Sequence, residues 1–235
     1  IIFNTTNMKR FISILIVLMF VSKLVHAQQE RLETNEFLYW QTNTKIIYDD
    51  FKKPVDSTSI KLSEKFGTKS LASVQIHSIL DYPKKAKKIK TLHEKTYFAP
   101  SFCKECSTIL QKDSSELKIA QMYFDIAEYC SRRARQNIKH LDSLHPGVGF
   151  AAAAFPGIVD NMYKMMGEMF GEFGRQLRSD KKPNALAKWR SDCDKLLAET
   201  KDFATTEEEC MRLINKIPFS DEYKLSYAVY GKNPK

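Results

Sequence analysis

The chain has 235 residues, 37 Lys and Arg against 28 Asp and Glu, and a formal charge of +9. With 43% apolar residues and five cysteines it is neither a disordered chain, a collagen-like repeat nor a disulfide-dense miniprotein. One or two domains fit the length, at roughly 100–200 residues each.

Taken in chain order, Met8-Lys9-Arg10 is a short basic opening and Phe11 to Val21 an apolar run broken only by Ser13. Val25-His26-Ala27 is a small-x-small cleavage pattern. These are the parts of a secretory signal peptide, expected over residues 1–27. The apolar run is shorter than the roughly 20 residues a bilayer requires, so no transmembrane helix is expected after cleavage. Ile1 to Asn7 precede the first Met and are read as untranslated. Removing the leader takes away Lys9, Arg10 and Lys23 and lowers the formal charge from +9 to +6. The mature protein is then exported, periplasmic or extracellular, where disulfides are allowed.

Residues 28–36 are polar. Phe37 to Trp40 and Lys45 to Tyr48 read as short strands, and Lys52-Lys53-Pro54 breaks the chain after them. Ser70 to Tyr82 and Thr96 to Phe102 read as longer strands. The period then changes. From Ser114 to Leu141 apolar residues recur at helical spacing, with Asp113 and Glu116 placed as a capping box. Pro146-Gly147 is expected to end that helix. Further helices are expected over Gly157–Leu177, Asn184–Thr200 and Thr206–Lys216, the last opened by Thr206 and Glu209. Strands first and helices after predict an α+β fold: a small antiparallel or mixed sheet, then a helical C-terminal half.

Several shorter motifs have more than one reading. Cys103-Lys104-Glu105-Cys106 is a lone CxxC without the second pair of a zinc ribbon or the βαβ setting of a thioredoxin. A local disulfide, inert thiols, pairing elsewhere and redox use all stay open. Cys193 and Cys210 lie on successive predicted helices and are candidates for a staple, whereas Cys130 sits on an apolar stripe. An odd count leaves at least one thiol free or paired between chains. Of His77, His93, His140 and His145, the last two are five residues apart and share no helical face. The run Lys84-Lys85-Ala86-Lys87-Lys88-Ile89-Lys90 fits a solvated rim or, outside the cell, an anionic envelope surface rather than nucleic acid. Met162, Met165, Met166, Met169, Phe170 and Phe173 recur at helical spacing, as core or as an adaptable groove.

The helix segment Leu117-Lys118-Ile119-Ala120-Gln121-Met122-Tyr123-Phe124-Asp125-Ile126-Ala127-Glu128 carries a resemblance. It is similar to a helix in a family of exported bacterial proteins described as zinc-dependent proteases. There the helix reads L-x-H-E-Q-x-H-F-D-I-T-E, followed by A-R-x-x-R. Leu117, Gln121, Phe124, Asp125, Ile126, Glu128, Arg132 and Arg135 stand at matching offsets. Ile46-Ile47-Tyr48-Asp49-Asp50-Phe51 resembles the family's L-x-W-x-D-F, and Ser107 and Trp189 are further points of likeness. The resemblance implies a zinc-peptidase-like domain over 28–204, with 205–235 a C-terminal helical extension.

The departures from that pattern decide the chemistry. An HExxH helix binds zinc through two His at i and i+4, and the intervening Glu is the general base. Those positions hold Ile119, Ala120 and Tyr123. The family's later acidic and His-containing stretch is replaced by Ser179-Asp180-Lys181-Lys182-Pro183. No zinc or other cofactor is therefore expected. The expected function is binding without catalysis, on a peptidase-like scaffold. Its partner would be another envelope protein or an anionic surface. The alternatives are a metal-dependent peptidase or hydrolase with relocated ligands, and an envelope-binding module that uses the lysine run.

Overall fold

A four-stranded antiparallel sheet, with helices on both faces, organises the molecule. The computed structural model describes residues 31–84, 92–144, 151–218 and 220–224. All of these except Arg31 belong to one compact unit, Leu32–Lys235. The strands are β1 (Phe37–Tyr39), β2 (Ser70–Leu71), β3 (Val74–Pro83), β4 (Lys95–Cys103), β5 (Thr108–Ile109) and β6 (Tyr223–Lys224). The helices are α1 (Ser57–Phe66), α2 (Ser114–Leu144), α3 (Ala151–Gly174), α4 (Ala185–Glu199) and α5 (Glu207–Ile214). The main sheet runs β1-β4-β3-β6, and β2 and β5 form a separate antiparallel pair. This is the expected α+β architecture.

Strand alternation fixes the two faces of the sheet. Leu38 pairs with Phe102, Ile76 with Pro100, and Ser78 with Phe98. That face meets α2: Ile76, Leu80 and Phe98 join Ile119, Met122, Ile126 and Cys130 in the largest apolar cluster. Phe155, Ile158, Met162, Met166 and Phe173 of α3 extend the same cluster, so one side of the Met- and Phe-rich stripe is core, with Met165, Met169 and Phe170 half-buried against it. The opposite face carries Tyr39 and Ala99, covered by Cys210, Leu213 and Ile214 around α5. His77 also lies on this face. Its Nε2 is 2.9 Å from Ser101 Oγ, and its ring sits 5.0 Å from Phe37.

Several local expectations change. Lys45 to Tyr48 is not a strand; it leads into a single 3-10 turn, Tyr48–Asp50. The Ile46 amide donates to Gln121 Oε1 at 3.0 Å, so a helix side chain takes the place of a strand neighbour. The helix α1 has no counterpart among the elements expected from sequence. Asp56 and Ser59 cap it reciprocally, and Gly67 closes it at φ 60°. Its Ile60, Leu62 and Phe66 are exposed, which leaves little amphipathic pattern to read. The Asp113–Glu116 box is not formed as expected. Asp113 accepts from Ser115, while the Glu116 carboxylate turns inward to Ser70 Oγ at 2.6 Å. The Met-rich helix begins earlier than expected, at Ala151, and passes into a π turn, Arg175–Ser179. An added Cβ would meet nothing at Gly167 or Gly171, so these glycines do not serve close packing. Only Gly174 does, where the Tyr123 hydroxyl would lie 3.3 Å away.

The described part of the segment expected as a C-terminal extension packs against the sheet. The Asp81 carboxylate of β3 and the Arg212 guanidinium of α5 form a two-pronged pair at 2.7 Å and 2.7 Å. Both side chains are buried, and β6 pairs with the end of β3. Cys103 and Cys106 are joined in a disulfide that closes the turn after β4. Cys193 and Cys210 do not form the staple considered from their spacing. They lie in different clusters, and both are buried free thiols, as is Cys130. Residues 1–27, expected as a leader, residues 85–90 of the lysine run, and His145 with Pro146-Gly147 lie outside the described residues. Among the described residues no helix is long and apolar enough to cross a membrane.

Two measurements test this framework. Removing one partner of the Asp81–Arg212 pair strands a buried charge. Arg212→Ala should therefore cost about 3–5 kcal/mol in urea unfolding, and pairing Asp81→Leu with Arg212→Met should cost less. Burial lowers the His77 pKa from 6.5 to about 4. The unfolded chain thus takes up a proton that the folded chain refuses. The associated stability is complete above pH 6.5 and is lost as pH falls towards 4, by about 3 kcal/mol. Unfolding curves at pH 7 and pH 4.5 should differ less for His77→Leu than for the parent.

Candidate functional site

The helix α2 sorts its residues by face. Residues 119, 123, 126, 130 and 134 recur on one side, and 121, 125, 128, 132 and 135 on another. The first set faces α3 and the sheet. Ile119 is buried in the main cluster. The Tyr123 ring packs edge-on against Phe170 at 4.9 Å and Phe173 at 5.1 Å, and burial raises its phenol pKa. The edge of Tyr123 lines a cavity of about 610 Å³ shared with Phe170, Gly174 and Arg178. Ala120 is fully buried in a second cluster with Leu38, Trp40, Phe102 and Phe124. The three positions that would hold an HExxH site are thus divided between two packing layers.

The second set builds a buried polar ladder. The Asp125 carboxylate accepts from Trp40 Nε1 at 2.8 Å and Gln121 Nε2 at 3.1 Å, and it pairs with Arg190 of α4. Arg190 also pairs with Asp194. One turn on, Glu128 has no exposure. It accepts from Arg132 Nε at 2.7 Å and from the Thr205 amide at 2.9 Å, with the Thr205 hydroxyl as a further donor. Burial pushes the Glu128 carboxyl above the usual range, while Arg135 and Arg132 pull it back. Arg132 donates to the Leu197 carbonyl at 2.6 Å and lies 5.2 Å from the Trp40 ring centroid. Arg135 binds Glu209 at 2.7 Å and the Phe203 carbonyl at 2.7 Å, and also reaches the Phe98 carbonyl. Gln121, Phe124, Asp125, Glu128, Arg132 and Arg135 therefore all have structural partners.

The other residues singled out in sequence are separated. His77 is held on the sheet, His140 is exposed at the end of α2, and the His93 carbonyl accepts from Tyr223. Ser107 bridges the Cys103 carbonyl and the Ser73 amide, and Trp189 donates to Gln176. Among the described residues no group of three His, Cys, Asp or Glu comes together as a ligand set. Burial pushes the Cys130 and Cys193 thiols up to about 12 and raises Cys210 as well. Such thiols are poor nucleophiles at neutral pH.

An open cleft begins where the polar ladder ends. A cavity of about 500 Å³ is lined by Trp40, Thr42, Asp125, Arg132, Arg190 and Lys201. Beside it, a groove of about 720 Å³ lies between α2, α4 and the Lys45–Ile46 segment. The two share Lys45, Gln121 and Arg190. Sequence reasoning missed this site. Trp40 and Asp125 are 85 positions apart, and Arg190 lies 65 beyond Asp125. The one local signal was the Arg190–Asp194 pair at i, i+4.

No protein-family model, no curated protein sequence and no solved structure matches the chain.

Asp125 is the hub of the cleft floor. Asp125→Ala removes the acceptor of three donors, and the expected cost is about 3 kcal/mol in equilibrium unfolding. Trp40 loses its indole partner, so its fluorescence should shift in the folded variant. An unchanged emission spectrum with full stability would show that the hub does not hold the cleft.

Proposed function

We propose that this protein is exported and acts by binding, on a scaffold like that of zinc peptidases but without their zinc or hydrolysis. The observation that carries the reading is the use made of Ile119, Ala120 and Tyr123. A metal-activated water needs imidazole or carboxylate ligands and a general base within hydrogen-bonding reach. Here the three positions supply a core aliphatic, a fully buried methyl and a ring packed edge-on against two phenylalanines. The neighbouring carboxylates of Asp125 and Glu128 are satisfied by arginine, tryptophan and threonine donors. The cleft beside them remains open, with its polar end above the Trp40–Asp125 contact. A groove of that kind suits recognition, since binding sites are mostly apolar with a few placed polar groups.

The test is metal analysis of the purified mature protein beside a broad peptidase assay. The expected outcome is no stoichiometric zinc and no cleavage. Stoichiometric zinc together with chelator-sensitive proteolysis would overturn the reading.

A further inference from the structure

We propose that the cleft between α2 and α4 binds a small amphiphilic carboxylate, an apolar chain with one acidic head. This rests on the binding reading above and names the class of ligand.

Polarity is unevenly distributed along the cleft. The groove of about 720 Å³ is floored by Ile46, Leu117, Met122 and Leu186. Ile46 and Met122 are buried side chains, so the floor is held by the core. The charged residues that line the groove are Lys45, Lys118 and Arg190, and among the described residues no acid lines it. Arg190 is already committed to Asp125 and Asp194. Lys45 and Lys118 have no ion-pair partner among the described residues, and both are exposed. The uncompensated charge at the rim is therefore positive. A lysine beside an apolar surface keeps its head in water while its stem covers the surface. Two such heads at one groove attract an anion whose body is apolar.

The adjoining cavity strengthens the assignment. It shares Lys45, Gln121 and Arg190 with the groove and adds Thr42, Arg132 and Lys201, together with the carboxylates of Asp125 and Asp194, both of which Arg190 pairs. A ligand lying in the apolar compartment has a polar, cation-bearing compartment next to it. One end of the cleft is thus suited to a chain and the junction to a head. The volume falls within the range of about 300–1,000 Å³ typical of small-molecule sites. Helices wall it on two sides and the Lys45–Ile46 segment on a third. That enclosure favours a small amphiphile over an extended peptide.

The experiment titrates the mature protein with decanoate, below its aggregation threshold, by calorimetry and by Trp40 fluorescence. Decanol and decyltrimethylammonium are the neutral and cationic controls. Decanoate should bind saturably at one site, about tenfold tighter than decanol, and the cation should not bind. Lys45→Glu combined with Lys118→Glu should weaken decanoate about tenfold without moving the melting temperature, because both lysines are exposed. Ala187→Trp, built on the exposed wall of the groove, should abolish binding while the fold is kept. Absence of saturable decanoate binding, equal affinity for the three compounds, or indifference to both variants overturns the proposal. So does tight binding of an acidic amphipathic peptide with none of decanoate. None of these results touches the metal and peptidase assay, so the two readings fail separately.

Discussion

A carboxylate buried without exposure in the middle of a long helix sets the terms for the rest of this structure. Glu128 is expensive to place there unless every oxygen is matched, because a lone buried charge costs several kcal/mol. Arg132 supplies one partner from its own helix. Thr205 supplies two, amide and hydroxyl, from the segment that comes after α4. Satisfying Glu128 therefore fixes where the chain must pass after α4. That passage sets the start of α5, whose first turn is closed by Thr206 and Glu209. Glu209 in turn receives Arg135, again from α2. The helix thus holds its C-terminal neighbour through charges, while it holds the sheet and α3 through apolar packing.

The division between faces explains why the polar groups of α2 that line the cleft are already engaged by protein partners. Polar groups on the 121–135 face are consumed as fast as they are presented. Asp125 takes three donors and Arg132 reaches a backbone carbonyl. Beside them lies the groove between α2 and α4, with an apolar floor and lysines at the rim. Arg190 of α4 reaches across to Asp125 of α2 while also pairing with Asp194 on its own helix. Arg190 and Trp40 thus share the Asp125 carboxylate at the cleft floor. A bidentate, planar guanidinium suits that bridging role better than an ammonium.

Much of the fold was legible in the sequence because it rests on local rules. Helical spacing located α2, and the Thr206–Glu209 box located α5. Strand alternation located β3 and β4. The failures share a cause in long-range partners. Lys45 to Tyr48 has strand composition, but the Ile46 amide is claimed by Gln121, 75 positions away. Glu116 sits at a capping distance from Asp113, yet Ser70 and Thr68 take its carboxylate. The helix α1 had legible caps at Asp56, Ser59 and Gly67, but its exposed Ile60, Leu62 and Phe66 gave no clear apolar stripe. The cleft was the least legible part, since its walls come from three separate stretches of chain.

The demands of folding also limit how much chemistry a motif resemblance can carry. Among the eight positions that carry the resemblance to a protease-type helix are Gln121, Phe124, Asp125, Glu128, Arg132 and Arg135. In this protein each serves the fold, by tethering Ile46, filling the Leu38–Trp40 cluster, anchoring Trp40 and Arg190, or fixing Thr205 and Phe203. The positions that do not match, Ile119, Ala120 and Tyr123, are those whose only role in a peptidase would be to hold the metal and activate its water. A helix with apolar residues at such positions folds readily, since an isoleucine or a methyl packs more cheaply than a charged side chain. It cannot lose Glu128 or Arg132 singly without leaving the other charge buried and unpaired. Folding alone therefore accounts for the first group, and the presence of those residues says nothing for catalysis.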